Sequence, residues 1–404
     1  VGSEIGIRDR SPSASAAGPA LVPAADASGD STCEVGIERL IAQTPPVVSL
    51  LGLRDAWEAS RGAVLVAVVD SGVDASNAHL ADAVDAGADL VDGGDGRTDS
   101  SGHGTAVAGQ IAARPVDGSG LIGLAPESRI LPVRVYADTS AEAVRDGRGP
   151  GTGRTAEGIR WAADHGAVII AVPSSSTSDD PALRASVDYA TSRGALVVAS
   201  AGNADDEASS TAVHFPAGYP AALSVTAVDE RGLPSDAVAH GTHVEIAAPG
   251  SKVLTTFFGN GDCVFAPSTP TTSYATGYVA AIAALVAAAP PAESPAEWEY
   301  RLTATALRPT PSERTTTLGW GIVAPHDALN FTNDGGAVGP QNPLFPAASA
   351  EAPRVMPRPD PVVDDGPARR AGVAAICGTG AALVAAIALV HRLRSVRRGR
   401  ARRR

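Results

Sequence analysis

A chain of 404 residues with a formal charge of −12 and only 4% aromatic residues has room for a large core, which it must build chiefly from Ala, Val, Leu and Ile. The acid excess is steeper than the total suggests: the tail "HRLRSVRRGRARRR" from His391 holds eight arginines and no acid, so the residues before it carry −20. Phosphates are repelled by so acidic a body, which excludes nucleic acid as its partner.

Residues 1–49 form an N-terminal extension rich in Ala, Ser, Gly and Pro, expected to lie extended or to wrap over a neighbour. The first residues lack an apolar leader, so an exported chain implies either a removed signal peptide or a start downstream of one. From residue 50 the pattern changes. "AVLVAVVD" (Ala63–Asp70) is a short valine-rich run of the kind that fills a strand buried on both faces. Similar runs follow at "RILPVRVY" from Arg129, "AVIIAV" from Ala167, "ALVVASAG" from Ala195 and "ALSVTAV" from Ala222. Helical patterns separate several of them, at "RTAEGIRWAADHG" from Arg154 and "PALRASVDYATSRG" from Pro181. This alternation predicts an α/β fold with a doubly wound, mostly parallel sheet, its ligands beyond the carboxyl ends of the strands. The polar, glycine-rich stretch Ala137–Gly153 reads as a mobile surface loop.

The domain is expected to span residues 50–330 and to pass into a proline-dense linker, 331–370, with the composition of a semi-extended stalk. "AGVAAICGTGAALVAAIALV" (371–390) then runs twenty residues without a charge, the length of one transmembrane helix. Arginines crowd its far side, so the basic tail 391–404 is placed in the cytoplasm and the acidic body outside the cell membrane. A soluble core helix followed by a nucleic-acid-binding tail is the other reading of this segment. Of three cysteines, Cys377 lies in the span, which leaves Cys33 and Cys263 as a possible bridge or as two unpaired thiols.

Four polar residues stand where these elements end or begin. Asp70 closes the first strand in "DSG", where it would serve equally as a turn residue. His103 opens a run of small residues in "SGHGTAVAGQIAA", flanked by Gly102 and Gly104, which suit close backbone packing. Asn203 ends a strand in "VVASAGN", a place also explained by turn chemistry. Ser273 stands at the mouth of the apolar run in "TTSYATGYVAAIAALV", either as a helix cap or as a nucleophile.

In the order Asp, His, Asn, Ser, these motifs resemble those of the subtilisin-type serine peptidases, a resemblance running from about Leu50 to Asn330. "GLAPESRILPVRV", "FPAGYPAALSVTAVDERG", "IAAPGSKV" and "GWGIVAPHDAL" add to it. The N-terminal extension, "LRDAW", the proline-rich stalk and the C-terminal span with its basic tail resemble the mycosins, membrane-anchored subtilases associated with type VII secretion. The resemblance implies a subtilisin-like fold and an extracytoplasmic endopeptidase acting on proteins or peptides, processing exported proteins or a secretion apparatus. It implies Ser273 as nucleophile, His103 as base, Asp70 as the group orienting the histidine, and Asn203 with the Ser273 N–H as oxyanion donors. No metal or other cofactor is required. The other functional reading is a non-catalytic or weakly catalytic subtilase-fold scaffold, a binding component of a secretion complex.

The chain departs from the family at several places. Thr271, Gly277 and Ala281 replace a glycine, a proline and a further glycine of the serine motif, so Thr271 is expected to crowd the site and Gly277 to loosen the helix start. Pro173 has no N–H for the strand that pairs with substrate. Ser100 and Ser101 stand where mycosins carry a cysteine, leaving Cys263 as the one extracytoplasmic partner for Cys33.

Overall fold

A computed structural model describes residues 33–289, 293–346, 378–389 and 392. The chain divides into two compact units, Val1–Glu351 and Ala352–Arg404.

Nine helices and nine strands are described in the first unit. They begin with α1 (Pro46–Leu50), α2 (Leu53–Ala59), β1 (Leu65–Asp70), β2 (Ala88–Asp89) and α3 (His103–Ala112). Next come β3 (Arg129–Arg134), α4 (Ala141–Arg145), α5 (Thr152–Asp164), β4 (Ile169–Val172), α6 (Pro181–Ser192) and β5 (Leu196–Ser200). The unit closes with β6 (Ala222–Val228), β7 (Ile246–Pro249), β8 (Val253–Thr256), β9 (Asp262–Phe265), α7 (Thr272–Ala288), α8 (Pro295–Ala304) and α9 (Pro325–Asn330).

Strands β1 to β7 make one sheet in the order β2-β3-β1-β4-β5-β6-β7, with parallel neighbours throughout. This is the doubly wound arrangement expected from the alternating runs. The central strands carry Val, Ile, Leu and Ala on both faces because both faces are covered. Alternate residues of β1 divide between two cores: Val66 and Val68 face α2, α3 and α7, while Ala67 and Val69 face α5 and α6. Helix α7 is apolar all round and is buried from Thr272 to Val286, as a helix enclosed by other elements must be. β8 and β9 form a separate antiparallel pair.

Helix starts follow local chemistry. Asp180 accepts from the N–H groups of Ala182 and Leu183 with Pro181 as the first residue of α6, and Ser294 and Glu297 form a reciprocal capping box at α8. Two expectations need correction. The 137–153 stretch contains α4 and the start of α5, and Arg154 holds the carbonyls of Val135, Gly147 and Gly149, so guanidinium bonds organise what composition reads as loop. Residues 331–346 likewise are not free stalk: Asn333 and Asn342 exchange side-chain hydrogen bonds, and Arg308 donates to the Val338 carbonyl.

Cys33 and Cys263 are disulfide-bonded, with a Cα separation of 5.9 Å. The bridge ties the N-terminal extension to β9, where Asp262 also accepts from the Ile41 N–H at 2.8 Å. Of the expected span 371–390, residues 378–389 are described and are helical and exposed. Among the described residues no helix is long and apolar enough to cross a membrane. The rest of that span, most of the basic tail, and residues 1–32 of the extension lie outside the described residues.

Candidate active site

The strand order reverses at β1, which has β3 on one side and β4 on the other. Asp70 is its last residue and fully buried, so its carboxylate sits at the crevice that a doubly wound sheet opens at such a switch point. His103 is the first residue of α3, and its Nδ1 lies 3.0 Å from each carboxylate oxygen of Asp70. The flanking glycines allow this approach. Gly102 has φ +82°, and a Cβ there would fall 2.6 Å from the Phe258 ring; a Cβ on Gly104 would fall 2.1 Å from the Gly72 carbonyl oxygen.

The Asp70 carboxylate has further donors that sequence reading missed. Tyr136 donates its hydroxyl at 2.8 Å, and Ser71 donates its N–H at 2.7 Å and its hydroxyl at 3.0 Å. Burial alone would raise this carboxyl, but the charge of His103 and the bonds from His103, Ser71 and Tyr136 outweigh it and hold it below the ordinary range. The same burial, reinforced by Asp70, pushes the Tyr136 phenol well above its usual value, so Tyr136 stays a donor. Asp99 was also missed. Its carboxylate accepts from the N–H groups of Ser101, Gly102 and Thr105 and from the Thr105 hydroxyl, fixing the turn into α3.

Ser273 is the second residue of α7 and is fully buried. It does not cap the helix, as the local sequence allowed; Thr271 occupies that position, and the first turn is served from outside by Asn203. The Asn203 carboxamide oxygen accepts both the backbone N–H and the hydroxyl of Thr272, each at 3.0 Å, so its NH2 is turned away from Thr272. That oxygen only accepts, so the Thr272 hydroxyl hydrogen is committed to it. The 2.6 Å contact between the Ser200 and Thr272 hydroxyls therefore has Ser200 as donor, and Ser200 in turn accepts from the Gly202 N–H at 3.3 Å. The Ser273 N–H lies in the first turn, where no intrahelical acceptor exists. His103 is close to the same turn: its ring centroid is 5.7 Å from that of Tyr274, the residue after Ser273.

The departures acquire structural meaning here. Thr271 donates its N–H to the Gly250 carbonyl at 3.0 Å and places its hydroxyl 3.4 Å from that of Ser273, within hydrogen-bond reach of the serine. Gly277 does not loosen the helix; it admits Gln110, whose Oε1 would lie 2.5 Å from a Cβ there and whose Nε2 donates to the Tyr274 carbonyl at 2.8 Å. Beyond the buried Pro173, Ser176 exchanges backbone hydrogen bonds with Phe215 at 2.9 and 2.7 Å. The structure thus brings Asp70 and His103 into contact and joins Asn203 to the turn that carries Ser273.

Residues 61–321 match the model of the subtilase family. Thermitase from Thermoactinomyces vulgaris is 37% identical over 223 residues, 55% of this chain and 71% of thermitase. Mycosin-3 from Mycobacterium tuberculosis is 32% identical over 366 residues, 76% of this chain and 78% of that protein. Among solved structures, the MycP3 protease from the type VII (ESX-3) secretion system superposes with a TM-score of 0.63 and 30% identity, covering 78% of this chain and 96% of that one.

Proposed function

The chain belongs to the subtilase family as a serine endopeptidase of the subtilisin type, related to the mycosins of type VII secretion, and on that premise we propose that Asp70, His103 and Ser273 are its catalytic triad. In this reading the Ser273 hydroxyl oxygen bonds to a peptide carbonyl carbon while its proton passes to His103. His103 then delivers that proton to the leaving amine as the C–N bond breaks, and water repeats the sequence on the acyl-enzyme. Asp70 fixes the imidazole with Nδ1–H toward its carboxylate and stabilises the imidazolium that forms. The Asn203 NH2 and the Ser273 N–H stabilise the oxyanion.

One observation carries the proposal: a buried histidine and aspartate in contact at the sheet's switch point, next to a helix start whose asparagine is locked by Thr272. Turn chemistry or capping gives these residues no shared reason to converge. The uncharged run 371–390 and the arginines after it support the further reading of a single-pass membrane anchor with the peptidase domain outside the cytoplasm. Kinship with type VII secretion proteases supports processing of exported proteins or of a secretion apparatus.

Labelling of the full chain by a fluorophosphonate serine probe tests the triad. Labelling that disappears in both Ser273→Ala and His103→Ala supports it. A folded chain that takes no label overturns it and leaves a subtilase-fold scaffold that binds without cutting.

A further inference from the structure

A cavity of about 360 Å³ opens beside Asn203. Its lining includes Ser175, Ser176 and Thr177 on one stretch of chain, Asp205 and Asp206 on another, and the buried His214. When a carbonyl oxygen rests on the Asn203 amide, the side chain of the residue that owns the carbonyl springs from the adjoining carbon. A cavity bordered by Asn203 is therefore placed to receive it.

The lining is unsuited to a large apolar group. It carries hydroxyls, carboxylates and two alanines, with no aliphatic side chain larger than alanine. His214 is engaged in the cavity wall: its Nε2 lies 3.0 Å from the Ser209 carbonyl oxygen and its Nδ1 lies 3.2 Å from the Ser175 hydroxyl. Asp206 has a structural duty, accepting from the Ser209 N–H at 2.7 Å. Asp205 has none among the described hydrogen bonds and ion pairs, and it lines the same space. Burial raises the Asp205 carboxyl, the charge of His214 opposes that and Asp206 adds repulsion, while no Lys or Arg among the described residues lines the cavity to pair with it, so a basic side chain entering there meets an acid with no guanidinium or ammonium partner.

We propose that this cavity takes the side chain on the acyl side of the scissile bond, and that Asp205 makes the peptidase selective for lysine or arginine there. The inference rests on the triad reading above and goes further by naming the substrate class. The net negative body works in the same direction, since it draws basic segments toward the cleft.

The test uses the full chain and quenched peptides identical except for Arg, Lys, Leu, Ala or Glu before the scissile bond, with fluorophosphonate labelling run in parallel. The expected result is kcat/KM for Arg and Lys roughly 10- to 100-fold above Leu, the discrimination a charge-reading pocket supplies. Asp205→Asn should narrow the Arg-to-Leu ratio about tenfold, Asp205→Glu should restore it, and Asp205→Lys should shift preference toward Glu. An enzyme that takes label but cuts Leu or Ala as fast as Arg overturns the selectivity and leaves the triad standing. So does an Asp205→Asn variant whose Arg-to-Leu ratio is unchanged. Absence of labelling overturns the triad and this selectivity with it.

Discussion

Thr272 grips Asn203 with two donors, its backbone N–H and its hydroxyl, both on the carboxamide oxygen at 3.0 Å. A primary amide held by one face cannot flip, so its NH2 is aimed before any substrate arrives. Asn203→Ala should cost about 10²–10³ in kcat, the range found when a subtilisin loses its own oxyanion asparagine. Thr272→Val keeps the shape and the backbone donor but removes the hydroxyl; about a tenfold fall in kcat with KM unchanged is expected. Ser200→Ala should cost roughly two- to fivefold, and the Ser200–Thr272 double mutant should be no worse than Thr272→Val, because both act through one amide. Additive losses would show that Ser200 works elsewhere.

Tyr136→Phe removes one donor from a fully buried carboxylate and should cost about 1.5–3 kcal/mol, the scale for hydrogen bonds to charged groups. Asp70 is held below its ordinary value of 3.8 in the fold, so its contribution is present above that pH and is lost as pH falls through the lower folded value. The deficit of Tyr136→Phe should accordingly be full at neutral pH and shrink in strong acid. Urea unfolding from pH 7 down to pH 2 measures it; a deficit that stays unchanged while the wild-type protein itself loses stability in acid would make Tyr136 a packing residue only.

Gly104→Ala cannot be absorbed by a side-chain rotation, because the new Cβ would meet the Gly72 carbonyl oxygen at 2.1 Å and Asp70 Cβ at 3.1 Å. Either β1 or the start of α3 must move, and each carries one member of the proposed acid–base pair, Asp70 and His103. Loss of fluorophosphonate labelling by at least tenfold, with the circular dichroism of a folded chain, is the expected outcome. Full labelling would mean that the contact relaxes without disturbing His103.

Much of this architecture is legible in the sequence because strands buried on both faces are apolar at nearly every position: β4 is so throughout, and β1, β5 and β6 depart from it only at Asp70, Ser200, Ser224 and Thr226. Asp70, His103, Asn203 and Ser273 are legible because each marks an element's end or start. Tyr136 and Ser200 were not. Tyr136 reads as the last aromatic of an apolar run, and its contact with a residue 66 positions away depends on the β1–β3 register, which no local pattern encodes. Ser200 reads as one more small residue of β5, and its partner Thr272 lies 72 positions on. Gly277 was misread for a related reason: a helical glycine looks flexible until the neighbour that needs its missing Cβ, Gln110 of α3, is in place.

Cys33 and Cys263 close a loop of 230 residues. Chain-entropy arguments put the limit for so long a loop near 5 kcal/mol, and about 2–4 kcal/mol is the common range. Cys33→Ser should lower the urea midpoint accordingly while leaving kcat intact in the absence of denaturant, since the bridge lies on the N-terminal extension and β9. Wild type in reductant should match the mutant. A mutant as stable as wild type would mean that the extension is held by other contacts, among them the Ile41 bond to Asp262.

Glu299 on α8 and Glu245 before β7 are a carboxyl pair with one cation near by, Arg314, whose closest approach to Glu245 is 3.9 Å. Burial, then the charge of Glu245, pushes Glu299 from 4.5 up to about 8, and burial lifts Glu245 to about 6. A carboxyl whose folded value is raised favours the fold while protonated. Its contribution is fully present below pH 4.5 and is lost as pH rises through 8, because the unfolded chain ionises first. Stability should therefore decline between pH 5 and 8.5, and Glu299→Gln should flatten that decline. Discounted for partial exposure, the gain at pH 8.5 should be on the order of 1–3 kcal/mol, with none at pH 5. The location matters for catalysis, because β7 leads directly to Gly250, whose carbonyl holds Thr271 two residues before Ser273. Thermal unfolding of both proteins across this range decides the point: parallel curves would acquit the carboxyl pair, and His243, which burial holds below its ordinary value, would tilt stability the other way, upward with pH.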